Sequence, residues 1–162
     1  MEYVSSPEPV SPDSLLRHVL ARAIDINEVE IPVVRKNKYL GVVDLRPYML
    51  PSTEVLDTKV SNIMVKYPTL GRDEFTPADG MSLMAASGVR GIPITAPKQV
   101  YEGMFYHFNA LAYLRDQGFG RDISAAQIMR TEIPFITPND PLSKAAAVMR
   151  RVKAARVVVV AA

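Results

Sequence analysis

Two stretches of this chain repeat each other. Ile31-Pro32-Val33-Val34, followed by Tyr39-Leu40-Gly41-Val42-Val43, returns as Ile92-Pro93-Ile94-Thr95, followed by Tyr101-Glu102-Gly103-Met104-Phe105. The offset is about 60 residues, longer than the ~20–50 residue period of most solenoid repeats. A second echo overlaps the first: Asn62-Ile63-Met64 recurs as Gln127-Ile128-Met129 at a comparable offset. A unit of that length is a small α/β fold of its own. The chain therefore reads as a tandem array of one module and not as one large enzyme fold.

At 162 residues, the chain suits two or three such modules packed together, and 48% hydrophobic residues are ample for a core. There is no cysteine, which excludes disulfides, thiolate metal sites and cysteine nucleophiles. The net charge of +2 is far from the footprint of a dedicated nucleic-acid binder, so nucleic acid is not the expected partner. The N-terminus lacks the basic start and apolar run of a signal peptide. No apolar stretch approaches the ~20 residues that span a bilayer. The expected location is cytoplasmic.

The first unit, residues 1–57, opens a helix at Ser11-Pro12-Asp13, with a natural N-cap followed by proline at the first helical position. Leu15, Leu16, Val19, Leu20 and Ala23 give that helix one apolar face. Strands are predicted over Val29 to Val34 and Tyr39 to Val43, joined by the polar turn Arg35-Lys36-Asn37-Lys38. A short helix follows, with Leu45, Tyr48 and Met49 as its apolar side. The second unit, residues 58–118, repeats the pattern. Val60 to Met64 reads as a short leading helix and Thr76-Pro77-Ala78-Asp79 as a capped helix start. Strands follow at Gly91 to Thr95 and Val100 to Tyr106, then a helix from Phe108 to Gln117, with Gly118 as its stop. The third unit, residues 119–162, has a helix start at Thr137-Pro138-Asn139-Asp140. Leu142, Ala145, Ala146, Val148 and Met149 form its apolar face, and Val157 to Val160 reads as a buried strand. It contains only the first half of the pattern, so the chain is expected to be a fragment or to be covered by another segment or subunit.

The Ile-Met pairs at Ile63-Met64 and Ile128-Met129, the Ser/Thr-Pro helix starts, the Ile-Pro strands and the glycines Gly41 and Gly103 recur in the same order. In this the chain resembles the cystathionine β-synthase (CBS) domain, a regulatory module found in pairs. The resemblance covers two complete copies and half of a third. It implies an α/β (α+β) fold of tandem repeats, each β-α-β-β-α, paired with pseudo-two-fold symmetry as a Bateman module. It also implies a non-catalytic regulator that binds AMP, ATP or S-adenosylmethionine in the cleft between paired repeats and needs no other cofactor. A homodimer, or completion by a further CBS repeat, and a regulated partner protein go with it. The alternative is a structural interaction or dimerisation module whose ligand sites have decayed. No Ser-His-Asp set, P-loop or carboxylate cluster at catalytic spacing points to an enzyme.

In the family the ligand segment reads Gly-x-x-Ser/Thr-x-x-Asp after the third strand. A glycine admits the ligand to the backbone, a hydroxyl sits at a helix N-terminus and a carboxylate accepts from ribose hydroxyls. The first copy keeps Gly41, has Asp44 in place of the hydroxyl and Pro47 in place of the carboxylate. Arg46 pairs with a phosphate in one reading. In the other, Asp44 is an N-cap and Arg46 a solvated charge. The second copy keeps Gly103, with Tyr106 for the hydroxyl and Asn109 for the carboxylate. Tyr106 either stacks on a base or fills the pocket, and Asn109 either accepts from ribose or caps a helix. The resemblance adds backbone contacts from Ile31 and Pro32, from Tyr67, Pro68 and Thr69, and from Ile92 and Pro93. His18 and His107 lack a second ligand at metal-like spacing, so no metal site is expected. Arg150, Arg151, Lys153 and Arg156 read as a solvated helix face, with RNA or DNA binding as a minor alternative.

Overall fold

The computed structural model describes all residues except 1, 27, 49–52, 121, 130–132, 153, 155 and 162. Met49 and Lys153 of the preceding reading thus lie outside the described residues. The first copy contains α1 (Leu16–Ile26), β1 (Glu30–Arg35), β2 (Lys38–Asp44) and α2 (Thr53–Leu56). The second contains β3 (Leu70–Gly71), α3 (Pro77–Ser87), β4 (Gly91–Ala96), β5 (Val100–Tyr106) and α4 (His107–Asp116). The remainder holds α5 (Ala125–Ile128), β6 (Phe135–Ile136), α6 (Leu142–Arg151) and β7 (Val158–Val159).

Both hairpins form where apolar runs, buried on both faces, flank a polar turn. β1 pairs antiparallel with β2, and β4 antiparallel with β5. The two hairpins meet at their turn ends, where Lys38 pairs with Val100, giving the five-stranded order β1-β2-β5-β4-β3. Thr76 caps α3 by accepting from the Asp79 amide at 3.2 Å, and Gly88 ends the helix in the left-handed conformation (φ 70°).

The segments that lead into each copy cross to the other copy. Ser5 bridges antiparallel to Met104 of β5 before Val10 pairs with Val33 of β1. In the same way Val65 bridges to Val42 of β2 before Leu70 pairs with Ile94 of β4. This exchange explains both recurring glycines. A Cβ on Gly41 would lie 2.8 Å from the Val65 carbonyl oxygen, and one on Gly103 would lie 2.6 Å from that of Ser5.

Successive strand residues point to opposite faces, so each hairpin feeds two layers. Ile31, Val33 and Val43 pack with Leu16 and Val19 in the first copy, and Ile92, Ile94 and Phe105 with Ala110 in the second. The opposite faces meet in a central layer of Tyr39, Val42, Met104 and Tyr106, flanked by Tyr67 and Tyr101.

Two helices begin later than their caps predict. The backbone before α1 is bonded to residues 58–61: Ser61 N donates to Pro12 O, Val60 N to Ser14 O and Leu16 N to Thr58 O, each at 2.9 Å. Ser11 Oγ instead accepts from Asp13 N at 3.2 Å and closes a local turn. Before α6, the Thr137 amide donates to Asp140 Oδ2 at 2.8 Å, which makes a turn of the expected first helical residues. Ala145 and Ala146 are buried, but Leu142 is 79% exposed. Val158 to Val160, read as a buried strand, are exposed. β7 pairs only with β6 in a separate two-stranded sheet, and no described layer covers those side chains.

Candidate functional site

The first-copy ligand segment lies on a cleft of about 480 Å³. Asp44, Arg46 and Pro47 form one wall, Ser87, Gly88 and Val89 at the end of α3 the second, and Met149 and Arg150 of α6 the third. The strand end of β2 and the helix end of α3 thus belong to different copies, and the cleft lies between them.

Asp44 and Arg46 are locked together. Asp44 Oδ1 accepts from the Arg46 amide (3.0 Å) and Nε (2.8 Å), and Oδ2 accepts from Nη2 (2.8 Å). The same Nη2 donates to Glu30 Oε1 at 3.1 Å. The hydrogen bond to Asp44 holds the guanidinium protonated well above its ordinary range. Its side chain remains 18% exposed, on the cleft.

Glu30, the first residue of β1, is fully buried. Besides Arg46 it accepts from the Tyr67 hydroxyl at 3.2 Å and from the Arg90 backbone N–H, at 3.2 Å to Oε1 and 3.1 Å to Oε2. Its main-chain carbonyl accepts from the Tyr106 hydroxyl at 3.0 Å. Burial raises the Glu30 carboxyl above its ordinary value, while the Arg90 amide and the Arg46 charge oppose that shift. A buried charge must be paired and hydrogen-bonded, and these donors meet that requirement. Three tyrosine hydroxyls, those of Tyr39, Tyr67 and Tyr106, converge on this region. Tyr39 OH accepts from the Tyr67 amide at 3.2 Å, and burial pushes the Tyr39 hydroxyl up to about 12.

The second-copy segment is occupied by the protein itself. Gly103 lies under the Ser5 carbonyl. Tyr106 is 1% exposed and stacks on Phe108 with ring centroids 5.3 Å apart. Asn109 Oδ1 accepts from the Tyr106 amide (2.8 Å), and Asn109 Nδ2 donates to Ser5 Oγ (3.1 Å). Asn109 is therefore a helix cap that also ties down the N-terminal segment.

Of the remaining residues, Ile31, Pro32, Ile92 and Pro93 are buried in their strands, and the Pro32 carbonyl accepts from Val10 N at 2.9 Å. Tyr67 joins Asp44 and Arg46 through Glu30. Pro68 is exposed, and Thr69 lines a different cavity of about 300 Å³, with Arg72 to Glu74 and Pro97 to Gln99. Sequence reasoning missed Glu30, Arg90 and the wall Ser87 to Val89. Only Glu30 carried a signal, as a carboxylate inside an otherwise apolar strand. The basic cluster does not act as one face: Arg150 reaches the cleft, while the Arg156 charge acts on His107. Burial lowers the His107 imidazole, and the Arg90 charge adds to that. His18 is exposed. Among the described residues no group of three His, Asp or Glu side chains could hold a metal ion.

The sequence of residues 125–161 matches the CBS domain family model. Among solved structures, protein MJ1225 of Methanocaldococcus jannaschii, described as an archaeal homolog of γ-AMPK, superposes with a TM-score of 0.83 at 18% identity over 99% of this chain. The fold is that of tandem CBS domains. This chain spans 65% of the archaeal protein's length. A CBS domain pair/ACT domain protein of Thermotoga maritima matches with a TM-score of 0.60 at 20% identity, over 71% of this chain and 94% of its own. CBSX2, solved in complex with AMP, matches with a TM-score of 0.60 at 17% identity, over 71% of this chain and 95% of its own. No curated protein matches the sequence. Among the described residues no helix is long and apolar enough to cross a membrane.

Proposed function

We propose that this chain is a non-catalytic regulatory module that binds one adenosine-type ligand, AMP, ATP or S-adenosylmethionine, in the cleft walled by Asp44, Arg46 and Ser87 to Val89. The observation that carries this reading is the cleft itself. Its volume of about 480 Å³ falls within the ~300–1,000 Å³ of small-molecule sites. Its lining suits a nucleotide: Val89 and Met149 offer apolar surface to a base, Asp44 offers acceptors to ribose hydroxyls, and Arg46 and Arg150 offer charge to phosphate. CBS pairs are in general regulatory, and one similar structure, CBSX2, holds AMP. The module works in the cytoplasm on a partner protein, as a homodimer or alongside further CBS repeats.

Isothermal titration with AMP, ATP and S-adenosylmethionine tests this, with thermal shift as a second measure. Ligand at about 100 times its Kd stabilises the fold by about 2.7 kcal/mol. Saturation at one ligand per chain is expected, and absence of heat and of any shift with all three ligands defeats the reading.

A second reading is favoured by one observation, the buried Tyr106 in the second-copy site. That site has decayed into a packing contact between the copies, and it serves as an interaction surface without a ligand. Two ligands per wild-type chain would contradict this.

A further inference from the structure

The cleft and the junction between the two copies share one side chain. Glu30 takes a hydrogen bond from Arg46, which belongs to its own copy and forms a wall of the cleft. Its other side-chain donors, the Tyr67 hydroxyl and the Arg90 amide, belong to the second copy. Among the described residues, the only cationic group bonded to this fully buried carboxylate is thus also a group that an anion in the cleft would engage.

We infer that Glu30 is a latch between the copies which competes with an anionic ligand for Arg46. It thereby transmits occupancy of the cleft to the contact between copies. The inference rests on the reading of the cleft as a nucleotide site and adds how that site is regulated. Asp44 already binds the guanidinium through two hydrogen bonds and the Arg46 amide through a third, so Arg46 stays beside the cleft when its bond to Glu30 breaks. A ligand phosphate drawing Nη2 outward leaves Glu30 without its countercharge. A buried carboxylate in that state is costly, so its bonds to Tyr67 and Arg90 must rearrange or the copies must shift. The Tyr106 hydroxyl on the Glu30 carbonyl carries the displacement into the central tyrosine layer. Glu30 is a positioning residue here and does not touch the ligand.

Amide hydrogen exchange on the full chain tests this at the Arg90 amide, whose acceptor is Glu30. Amides inside the β1–β2 hairpin serve as controls for global opening. In the ligand-free protein, Arg46→Gln mimics withdrawal of the guanidinium. Arg90 exchange is expected to rise about tenfold with the controls unchanged. An unchanged Arg90 amide overturns the inference whether or not any ligand binds. The second arm adds saturating AMP to wild type and to Glu30→Gln, which keeps the shape and an acceptor oxygen but removes the charge. Wild type should show the same rise at Arg90. Glu30→Gln should bind AMP about tenfold more tightly, because the competitor for Arg46 is gone. AMP binding that leaves Arg90 protected and is unaffected by Glu30→Gln overturns the latch while the nucleotide site stands. Where AMP does not bind, ATP or S-adenosylmethionine takes its place in this arm; failure of all three to bind defeats the nucleotide reading and leaves the Arg46→Gln arm to decide the latch.

Discussion

Glu30 and the two strand glycines are the residues whose replacement should cost most for the atoms involved. Glu30→Ala removes the acceptor of Arg46, Tyr67 and the Arg90 amide at once. Breaking a buried ion pair from one side costs about 3 kcal/mol or more, and urea denaturation should show it. Glu30→Gln gives a subtler pH signature. Burial raises the folded-state carboxyl above its ordinary 4.5, so the protonated form is the one that folding favours. Its stabilising contribution is complete below 4.5 and is lost as pH rises through the folded value. Melting temperatures measured from acidic to neutral pH should therefore shift in favour of wild type over Glu30→Gln as pH falls. Gly41→Ala and Gly103→Ala place a methyl group against a carbonyl oxygen of the crossing segment. Each should destabilise by about 2 kcal/mol, again by denaturation midpoint. A loss confined to ligand affinity would mean that the crossing strands yield.

The strands show what is legible in a linear sequence and what is not. Both hairpins follow from apolar runs around polar turns, and β5 spans the expected residues. The cap at Thr76 is equally local, since its partner Asp79 lies three residues on. The late start of α1 was not legible, because its cause is backbone bonding to residues 58–61. Glu30 escaped for the same reason: its donors Tyr67 and Arg90 lie 37 and 60 residues away. The recurring glycines were legible as special positions, but not as seats for another strand. The hairpin turns carry a further consequence. Lys36 and Asn37 turn the first hairpin, and Lys98 and Gln99 the second, all with left-handed backbone (φ 49–63°). Left-handed positions favour glycine or asparagine both in the two-residue turn of the first hairpin and in the three-residue turn of the second, Pro97 to Gln99. Gln99→Gly should therefore raise stability by about 0.5–1 kcal/mol, measured as a higher denaturation midpoint. An unchanged or lower midpoint would show that the Gln99 side chain holds the turn by other means.

At the scale of the whole molecule, the copies are joined by exchange as well as by packing. Tyr3 and Val4 pack against the second copy's core, and the same segment then pairs with β1 of the first through Val10. Deleting residues 1–9 should strip Ser5 from Gly103 and Asn109. Both copies should become less stable, the second more than the first. Hydrogen exchange along β4 and β5 would measure this, and loss confined to the first copy would contradict the exchanged arrangement. A regulatory role for such a pair depends on the junction being able to shift, and the Glu30 cluster is a charged part of a largely apolar boundary. The exchange also sets an order of assembly during synthesis. Ser5 leaves the ribosome about a hundred residues ahead of its partner Met104. At ~5–20 residues per second that is a wait of roughly 5–20 s. Through that interval the nascent first copy must hold its opening strand unpaired, so slowed translation between the copies would prolong the period in which a chaperone, or another nascent chain, can take its place.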